Sequence, residues 1–316
     1  MEKNARIYVA GHRGLVGSAL VRRLEAEGYT HIITRTSQEL DLRDSLAVAQ
    51  FFAQEQPEYV FLSAAKVGGI WANETYPAEF IYDNLAIQTN VIHHSYLTGV
   101  KKLLFLSSSC VYPRYAPQPM KEEFILTGEL EPATEAYAVA KIAGQKMCQA
   151  YNRQYGTDFM TVIPPNLYGP NDNFDLKTSH VLPSLLRKFH EAKIHHQPAV
   201  VIWGTGTPRR EFLHVDDLAD ACVFLMQHCH ARDIQDVVNV GVGSDIPVKN
   251  LALLLKEIVN YPGELRFDTS KPDGVPRKLL DTSRITALGW KPRISLYEGI
   301  QRTYEWFRER EMSAVA

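Results

Sequence analysis

Short apolar runs alternate with amphipathic stretches along the first half of this chain, and this alternation limits the possible folds more than any other feature. The apolar runs read RIYVAG, HIITR, YVFLSAA, KLLFLSS and FMTVIPP. Between them, apolar residues recur at helical spacing over residues 15–27, 45–54, 77–97 and 134–155. Such βαβα alternation predicts an α/β fold with a doubly wound parallel sheet of the Rossmann type, because each crossover helix covers a face of the sheet.

The pattern loosens after Pro165, where clusters of proline and glycine separate shorter helical stretches. We therefore predict a Rossmann-type domain over residues 1–165, completed by later segments of the chain. A smaller C-terminal lobe is predicted over residues 166–316.

The first apolar run leads into AGHRGLVGSAL, which places Gly11, Gly14 and Gly17 at the GxxGxxG spacing. The first glycine permits a tight turn, the second lets the backbone approach a pyrophosphate, and the third packs the helix on the strand. The N-terminus of that helix then faces the anion. The motif between a strand and an amphipathic helix predicts a dinucleotide site, although a glycine turn alone is a weak signal.

The end of the second apolar run indicates which dinucleotide binds. An acidic residue there binds the adenosine 2′-hydroxyl of NAD, whereas a basic residue accommodates the 2′-phosphate of NADP. Arg35 occupies this position and Arg13 lies in the glycine loop, so that two cations could converge on a dianion. We favour NADP(H); the alternative is that Arg35 is only a solvated strand end. Asp41 is placed to approach the adenine side.

Tyr137 and Lys141 lie four residues apart in EAYAVAKIAGQK, so a helix would place both side chains on one face. An ammonium beside a phenol, helped by the positive nicotinamide ring, favours phenolate, and we expect the pKa of Tyr137 to be lowered from its ordinary value. Such a tyrosine can exchange a proton with an alcohol or ketone. YxxxK pairs are common by chance, and the glycine loop and the preceding strand-end serines support this one.

The combination of the glycine loop, LSSS, the Tyr137–Lys141 pair, NLYGP and RREFLHVDD resembles the extended short-chain dehydrogenase/reductase family, whose members act on nucleotide sugars. Further motifs are similar to those of a narrower group: AAKVGGIWANETYPAEFIYDN, SSCVYP, KTSHVLPSLLRKFH and VIWGTGTPRREFLHVDD. This group consists of NADP-dependent 3,5-epimerases and 4-reductases of GDP-4-keto-6-deoxy-D-mannose. The resemblance covers essentially the whole chain and implies an enzyme with this substrate.

Epimerisation gives a reason for the single thiol in FLSSSCVYP. A ketone at C4 acidifies the protons at C3 and C5, because the resulting charge rests on an enolate oxygen. Inverting either carbon requires proton carriers on both faces of the ring, and Cys110 is one candidate because a thiol titrates near neutrality. The resemblance assigns His180 as the other carrier. The alternative is that Cys110 is only a packing residue.

The resemblance also implies roles in the reduction at C4. Ser108 would hydrogen-bond the ketone oxygen, Tyr137 would protonate it, and Lys141 would bind the nicotinamide ribose. The assignment of Ser108 rather than Ser107 rests on counting from Cys110. The cofactor contacts that the resemblance implies are Gly11, His12, Arg13, Gly14, Leu15, Val16, Gly17, Arg35, Ser37, Asp41, Leu42, Ala64, Leu106, Ser107, Lys141, Pro164, Asn166, Leu167 and His180.

The C-terminal lobe should bind most of the GDP-sugar. By resemblance, lysine and arginine side chains neutralise the diphosphate, and a tryptophan packs against a ring. For each cation the alternative is a solvated surface charge. The implied substrate contacts are Asn166, Lys188, Trp203, Arg210, Asp273 and Lys278.

Composition limits the possible partners. The formal net charge of −2 gives no reason to expect nucleic acid or an anionic membrane. No segment approaches the roughly 18 uninterrupted apolar residues of a membrane span, and the start of the chain does not read as a signal peptide. The 4 cysteines make neither a disulfide framework nor a CxxC metal pair. We therefore expect a cytoplasmic protein without a bound metal.

Other readings of the same motifs stay open. A 4,6-dehydratase would need a carboxylic acid where this chain has Ser109 and Cys110, and a 4-epimerase would not need the thiol and imidazole. A non-catalytic NADP-sensing module usually loses the tyrosine and lysine. A homodimer is expected through the helices over residues 80–97 and 134–155, with Ala138, Ile142 and Met147 on a second apolar face. Alternatively, these faces belong to the core.

Overall fold

The structure, a computed structural model, describes residues 1–271 and 273–315. The strands are β1 (Ile7–Ala10), β2 (Ile32–Ile33), β3 (Tyr59–Leu62), β4 (Lys102–Leu106), β5 (Phe159–Ile163), β6 (Asn166–Tyr168), β7 (Ala199–Trp203), β8 (Arg209–Arg210), β9 (Phe212–His214), β10 (Val237–Asn239), β11 (Ile246–Pro247), β12 (Glu264–Asp268) and β13 (Arg277–Lys278). The helices are α1 (Leu15–Ala26), α2 (Ser45–Glu55), α3 (Ile70–Thr75), α4 (Pro77–Leu97), α5 (Glu135–Tyr155), α6 (Val181–Ile194), α7 (Val215–His228), α8 (Val248–Val259), α9 (Ser283–Ala287) and α10 (Leu296–Val315).

Six parallel strands form the main sheet in the order β2-β1-β3-β4-β5-β10. The residues of β1, β3 and β5 are buried along their whole length, as expected for a sheet that helices cover on both faces. The predicted α/β class with a doubly wound, Rossmann-type sheet is therefore confirmed.

The helices of the first half begin and end where local chemistry dictates. The Asp44 carboxylate caps α2 by accepting from the backbone N–H groups of Leu46 and Ala47. Helix α4 has proline at its first position, and α5 ends at Gly156, whose φ of +67° suits the left-handed C-terminal cap. The predicted ranges agree with the observed ones to within one residue at each end.

Later segments of the chain contribute to the main sheet and also build a second core. Strand β10 pairs with β5, and α7 packs against α1 beneath the sheet. A separate apolar cluster joins α6, α8 and α10 with the parallel pair β7 and β12. The division of the chain at residue 165 stays a prediction.

Helices α4 and α5 pack against each other, and the Gln88 amide donates to the carbonyl of Ala140 over 2.5 Å. Ala138 and Ile142 are buried within the described chain, and Met147 packs against its core. The structure therefore supports the alternative, in which these three residues belong to the core rather than to a dimer interface.

None of the described helices is long and apolar enough to cross a membrane. Among the side chains that the structure describes, no group of three or more His, Cys, Asp or Glu could hold a metal ion.

Candidate active site

The glycine loop after β1 lies beside the segment that follows β3, at the carboxyl edge of the sheet. Because β2 and β3 flank β1 on opposite sides, this is a topological switch point, where doubly wound sheets bind their ligands. Gly11 has a φ of +85°, and a Cβ atom there would lie 2.8 Å from the backbone nitrogen of Ala64. A Cβ atom on Gly17 would lie 2.1 Å from the carbonyl oxygen of Gly11. Both positions therefore require glycine.

The first turn of α1 has the features of a pyrophosphate site. Gly14 is the N-cap residue and provides no side-chain cap, so the first N–H groups of the helix are open to an anion. The Nδ1 atom of His12 is buried and has no partner in the part of the chain that the structure describes. Arg13 is exposed at the rim, whereas Leu15 and Val16 pack against the core. These residues fit a dinucleotide.

Arg35 is held against α2 rather than standing free at the strand end. Its guanidinium forms an ion pair with Glu55, donates to the carbonyl of Thr34 over 2.7 Å, and lies 5.6 Å from the ring centroid of Phe51. Ser37 is exposed nearby along the chain. The structure therefore gives Arg35 a fixed position at the carboxyl edge, and its contact with a 2′-phosphate stays a prediction.

The predicted adenine side is also ordered by an ion pair. Asp41 accepts from Arg43 over 2.8 Å, and these hydrogen bonds lower the pKa of the Asp41 carboxyl. Arg43 also reaches Asp83 of α4 at 3.2 Å. Leu42 is half-buried and packs against the core beside α2.

The end of β4 presents the thiol. Ser108 caps one turn of 3₁₀ helix over Ser109–Val111, and its Oγ atom accepts from the N–H of Cys110 over 3.3 Å. The first N–H of this turn donates to the carbonyl of Pro164 over 3.2 Å, which ties the turn to the end of β5. The Ser107 hydroxyl is buried without a partner among the described residues. The chain therefore projects Cys110, half-buried, from the carboxyl edge of the sheet.

Lys141 lies fully buried on α5 beneath this turn. Its Nζ atom donates to the carbonyl of Leu106 over 2.8 Å and lies 4.8 Å from the ring centroid of Phe105. Burial disfavours the charged ammonium and lowers the pKa of Lys141 to about 7. The Tyr137 ring centroid is 5.8 Å from the same nitrogen, as the four-residue spacing predicts.

The prediction of a lowered pKa for Tyr137 was wrong. Burial and the neighbouring charge on Cys110 raise the pKa of the phenol, and its hydrogen bond with Ser108 only partly offsets them. The reason is that desolvation penalises phenolate in this buried site. Tyr137 therefore holds its proton and is suited to donate it to a developing alkoxide.

Cys110 and His180 both face Lys278. The Lys278 Nζ atom donates to Cys110 Sγ over 3.8 Å, and burial together with the Lys278 charge lowers the pKa of His180. His180 is the N-cap of α6; it is exposed to solvent although protein surrounds it, which is the situation of a side chain in a cleft. The loop before it is fixed by the N–H of Gly69, which donates to the carbonyl of Thr178 over 2.8 Å.

Trp203 and Lys188 lie on the second core. Trp203 ends β7 with 64% of its surface exposed, and the Lys188 Nζ atom lies 5.5 Å from its ring centroid. Lys271 approaches the same ring at 5.7 Å. Partial burial lowers the pKa of Lys188. An exposed aromatic ring between two ammonium groups could stack a base beside a phosphate.

Arg210 and Lys278 are direct partners in the parallel pair of β8 and β13. Burial lowers the pKa of Arg210, opposed by charge on Cys110, Asp273 and Glu131, so this guanidinium also faces the thiol. Asp273 is exposed and accepts from the Thr205 hydroxyl over 2.7 Å. The structure therefore brings Arg210 and Lys278 to the catalytic edge and places Asp273 at the rim.

Asn166 and Leu167 lie on β6, which pairs with β9. Leu167 packs against the first core, and the Asn166 amide donates to the carbonyl of Glu211 over 3.1 Å.

Glu211 is a site-supporting residue that the sequence analysis missed, although it lies within RREFLHVDD. Its carboxylate is fully buried and accepts from the backbone N–H groups of Val242 at 2.6 Å, Gly243 at 2.8 Å and Leu280 at 2.8 Å. Burial raises the pKa of Glu211 to about 6, although these hydrogen bonds oppose the shift. The only sequence signal was an acidic residue directly before the apolar residues Phe212 and Leu213.

A nucleotide cleft at the switch point, with serine, tyrosine and lysine beside it, defines a dinucleotide-dependent enzyme of the short-chain dehydrogenase type. The chain belongs to the NAD dependent epimerase/dehydratase family, whose model matches residues 7–241.

Individual relatives narrow this class. The chain is 59% identical over 309 residues to "Putative GDP-L-fucose synthase 2" of Arabidopsis thaliana, covering 98% of this chain and 93% of that relative. It is 53% identical over 312 residues to the GDP-L-fucose synthase of Escherichia coli (strain K12), covering 97% of each. Among solved structures, a GDP-mannoheptose C4 reductase from Campylobacter jejuni with NADP bound matches with a TM-score of 0.90 and 44% identity, covering 98% of this chain and 99% of that one.

Proposed function

We propose that this protein converts GDP-4-keto-6-deoxy-D-mannose to GDP-L-fucose, with NADP(H) as its cofactor. It inverts C3 and C5 and then reduces C4. The observation that carries the proposal is that Cys110 and His180 both face Lys278 beside the Tyr137 phenol, as a combined epimerase and reductase requires. The similarity to GDP-L-fucose synthases along nearly the whole chain supports the same activity.

Epimerisation uses Cys110 and His180 as proton carriers. One carrier removes the proton from C3 or C5, and the electron pair of the broken C–H bond moves into an enolate at C4. The other carrier returns a proton to the opposite face of the same carbon. The lowered pKa of His180 leaves a neutral imidazole available to accept a proton, and the thiol supplies the complementary group.

Reduction at C4 uses the serine, tyrosine and lysine. NADPH, when bound, supplies the hydride for C4. The Ser108 hydroxyl donates a hydrogen bond to the ketone oxygen, and Tyr137 gives that oxygen its proton. The raised pKa of Tyr137 keeps the proton on the phenol until the alkoxide forms. Lys141 would bind the nicotinamide ribose.

The cofactor site is supported by the crowded glycines, the open N-terminus of α1 and the unpartnered Nδ1 atom of His12. Arg35, held in place by Glu55, supplies the cation for the 2′-phosphate. On the substrate side, Lys188 and Arg210 neutralise the diphosphate and Trp203 packs against the guanine ring.

The assembly and compartment follow from the same proposal. Residues 1–165 bind the cofactor and residues 166–316 mainly bind the GDP-sugar, with β10 returning to the cofactor domain. The protein forms a homodimer through the exposed surfaces of α4 and α5, where Tyr82 and Val139 are 65% and 40% exposed. It works in the cytoplasm, a reducing compartment that suits its four free cysteines.

The test follows solvent deuterium into C3 and C5 of the keto sugar by NMR, and NADPH oxidation by absorbance. The parent protein should exchange both positions and oxidise NADPH. Cys110→Ser should lose exchange, because serine is a far weaker acid. Tyr137→Phe should still exchange both positions but reduce about 100-fold more slowly, the contribution typical of a general acid.

Cys229→Ser, which alters a buried thiol outside the site, is the matched control and should behave as the parent does. NADPH oxidation without exchange would instead identify a 4-reductase alone, and neither reaction would identify a non-catalytic module. Parental exchange by Cys110→Ser would show that the thiol only packs.

A further inference from the structure

The ammonium of Lys278 lies against the thiol rather than against a carboxylate. Its Nζ atom is 3.8 Å from Cys110 Sγ, across 168 residues of chain. In the described part of the chain, no carboxylate oxygen lies within the 4.0 Å that defines an ion pair with this nitrogen. Its positive charge is therefore not neutralised by an ion pair, and its hydrogen-bond partner is the Cys110 sulfur.

The other groups around the thiol differ from Lys278. Arg210, its partner across β8 and β13, shares its charge between Cys110, Asp273 and Glu131. Tyr137 on α5 carries no charge while it holds its proton. His180, at the start of α6, faces Lys278. Among the described residues, Lys278 is thus the cation whose Nζ atom contacts the reacting sulfur.

We propose that Lys278 is a catalytic residue of the epimerisation, which stabilises the thiolate form of Cys110, rather than a ligand of the substrate diphosphate. The proposal deepens the proposed function and rests on it. In each inversion the S–H bond of Cys110 breaks or forms once, with the electron pair on sulfur and the proton exchanged with carbon. A thiolate therefore exists at one stage whichever carrier acts first, and an ammonium at this distance favours it.

The same charge acts on the second carrier. Lys278 also repels an imidazolium on His180, so His180 starts neutral and accepts the proton from carbon, while Cys110 starts as the thiol, gives its proton to the opposite face and becomes the thiolate that the ammonium stabilises. The reduction at C4 involves neither carrier, and Lys278 should leave it unaffected.

The test compares Lys278→Met, Lys278→Arg and Arg277→Met with the parent. The probe is iodoacetamide, whose rate of thiol alkylation as a function of pH reports the thiolate fraction. The remaining cysteines are buried, and Cys110→Ser supplies the background rate. Lys278→Met should alkylate about tenfold more slowly at neutral pH, because the thiolate loses the neighbouring ammonium.

Lys278→Arg keeps the charge and should retain most of the parental rate. Arg277 is the neighbour on the same strand but pairs with Asp245, so Arg277→Met should leave alkylation unchanged. Deuterium exchange at C3 and C5 should fall with the alkylation rate, while the Kd for GDP measured by calorimetry stays within about twofold.

An unchanged alkylation profile in Lys278→Met, with GDP binding weakened about tenfold or more, would overturn the proposal in favour of a diphosphate ligand. The alkylation readout uses no sugar. If the parent protein does not make GDP-L-fucose but Lys278→Met still slows alkylation of Cys110, the proposed function is contradicted. The proposed effect of Lys278 on the thiolate is then still supported.

Discussion

Lys141 is a fully buried ammonium whose contacts are a carbonyl oxygen and aromatic rings, so its charge is favoured far less in the folded chain than in water. Its pKa falls from 10.5 to about 7 for this reason. At the level of single residues, the site therefore combines Tyr137, a phenol that holds its proton, with Lys141, an ammonium that loses its proton easily.

This shift predicts a pH dependence of stability. Between about 7 and 10.5 the unfolded chain holds a proton on Lys141 that the folded chain has lost, so raising the pH favours the folded state. Relative to Lys141→Met, the free energy of unfolding of the parent should rise with pH across this range, by at most about 1.4 kcal/mol per pH unit. Urea unfolding of both proteins at several pH values measures the difference, and parallel curves would mean that Lys141 keeps its ordinary pKa.

Glu211 joins three chain segments at the scale of elements. Glu211 lies between β8 and β9. Its carboxylate accepts hydrogen bonds from Val242 and Gly243 in the loop after β10, and from Leu280, two residues after β13. Its backbone carbonyl also accepts from Asn166 on β6. The position of Lys278 beside the thiol therefore depends on a buried carboxylate that never contacts the thiol itself.

Removing this carboxylate should destabilise the protein. Glu211→Ala leaves three N–H groups without their acceptor and should cost about 3 kcal/mol in urea unfolding. Glu211→Gln should lower the free energy of unfolding by a smaller amount, because the amide oxygen still accepts hydrogen bonds. Some loss remains, because the NH₂ group replaces the second acceptor oxygen. Glu257→Ala, on the exposed side of α8, is the control and should change stability by less than about 0.5 kcal/mol. Equal stability of Glu211→Ala and this control would contradict the role.

At the scale of the whole molecule, α4 and α5 share one buried face and leave another exposed. The apolar residues expected to form a dimer interface, Ala138 and Ile142, are inside the protomer. The exposed residues of the same helices, including Tyr82 and Val139, are the ones available to a second copy.

The proposed homodimer predicts that Val139→Glu yields monomers in sedimentation at micromolar concentration, because a carboxylate would be desolvated in the interface. Leu253→Glu, at an exposed apolar position on α8, should leave the dimer intact. A parent protein that sediments as a monomer would end this proposal but leave the catalytic one standing.

Local sequence patterns were sufficient to predict the α/β class, the helix ranges of the first half and the need for glycine at positions 11 and 17. These depend on apolar periodicity and on backbone geometry within a few residues, so the local pattern contains them. It also identified the tyrosine–lysine pair, because residues four apart on a helix share a face.

The chemical behaviour of these groups, in contrast, depends on the folded chain. The raised pKa of Tyr137, the lowered pKa of Lys141 and the burial of Ile142 depend on desolvation, which neighbours distant in the chain impose. The contact between Lys278 and Cys110 spans 168 residues, and Glu211 acts through segments that become adjacent only on folding. Local periodicity cannot predict such contacts, because they depend on the burial that packing of the whole chain produces.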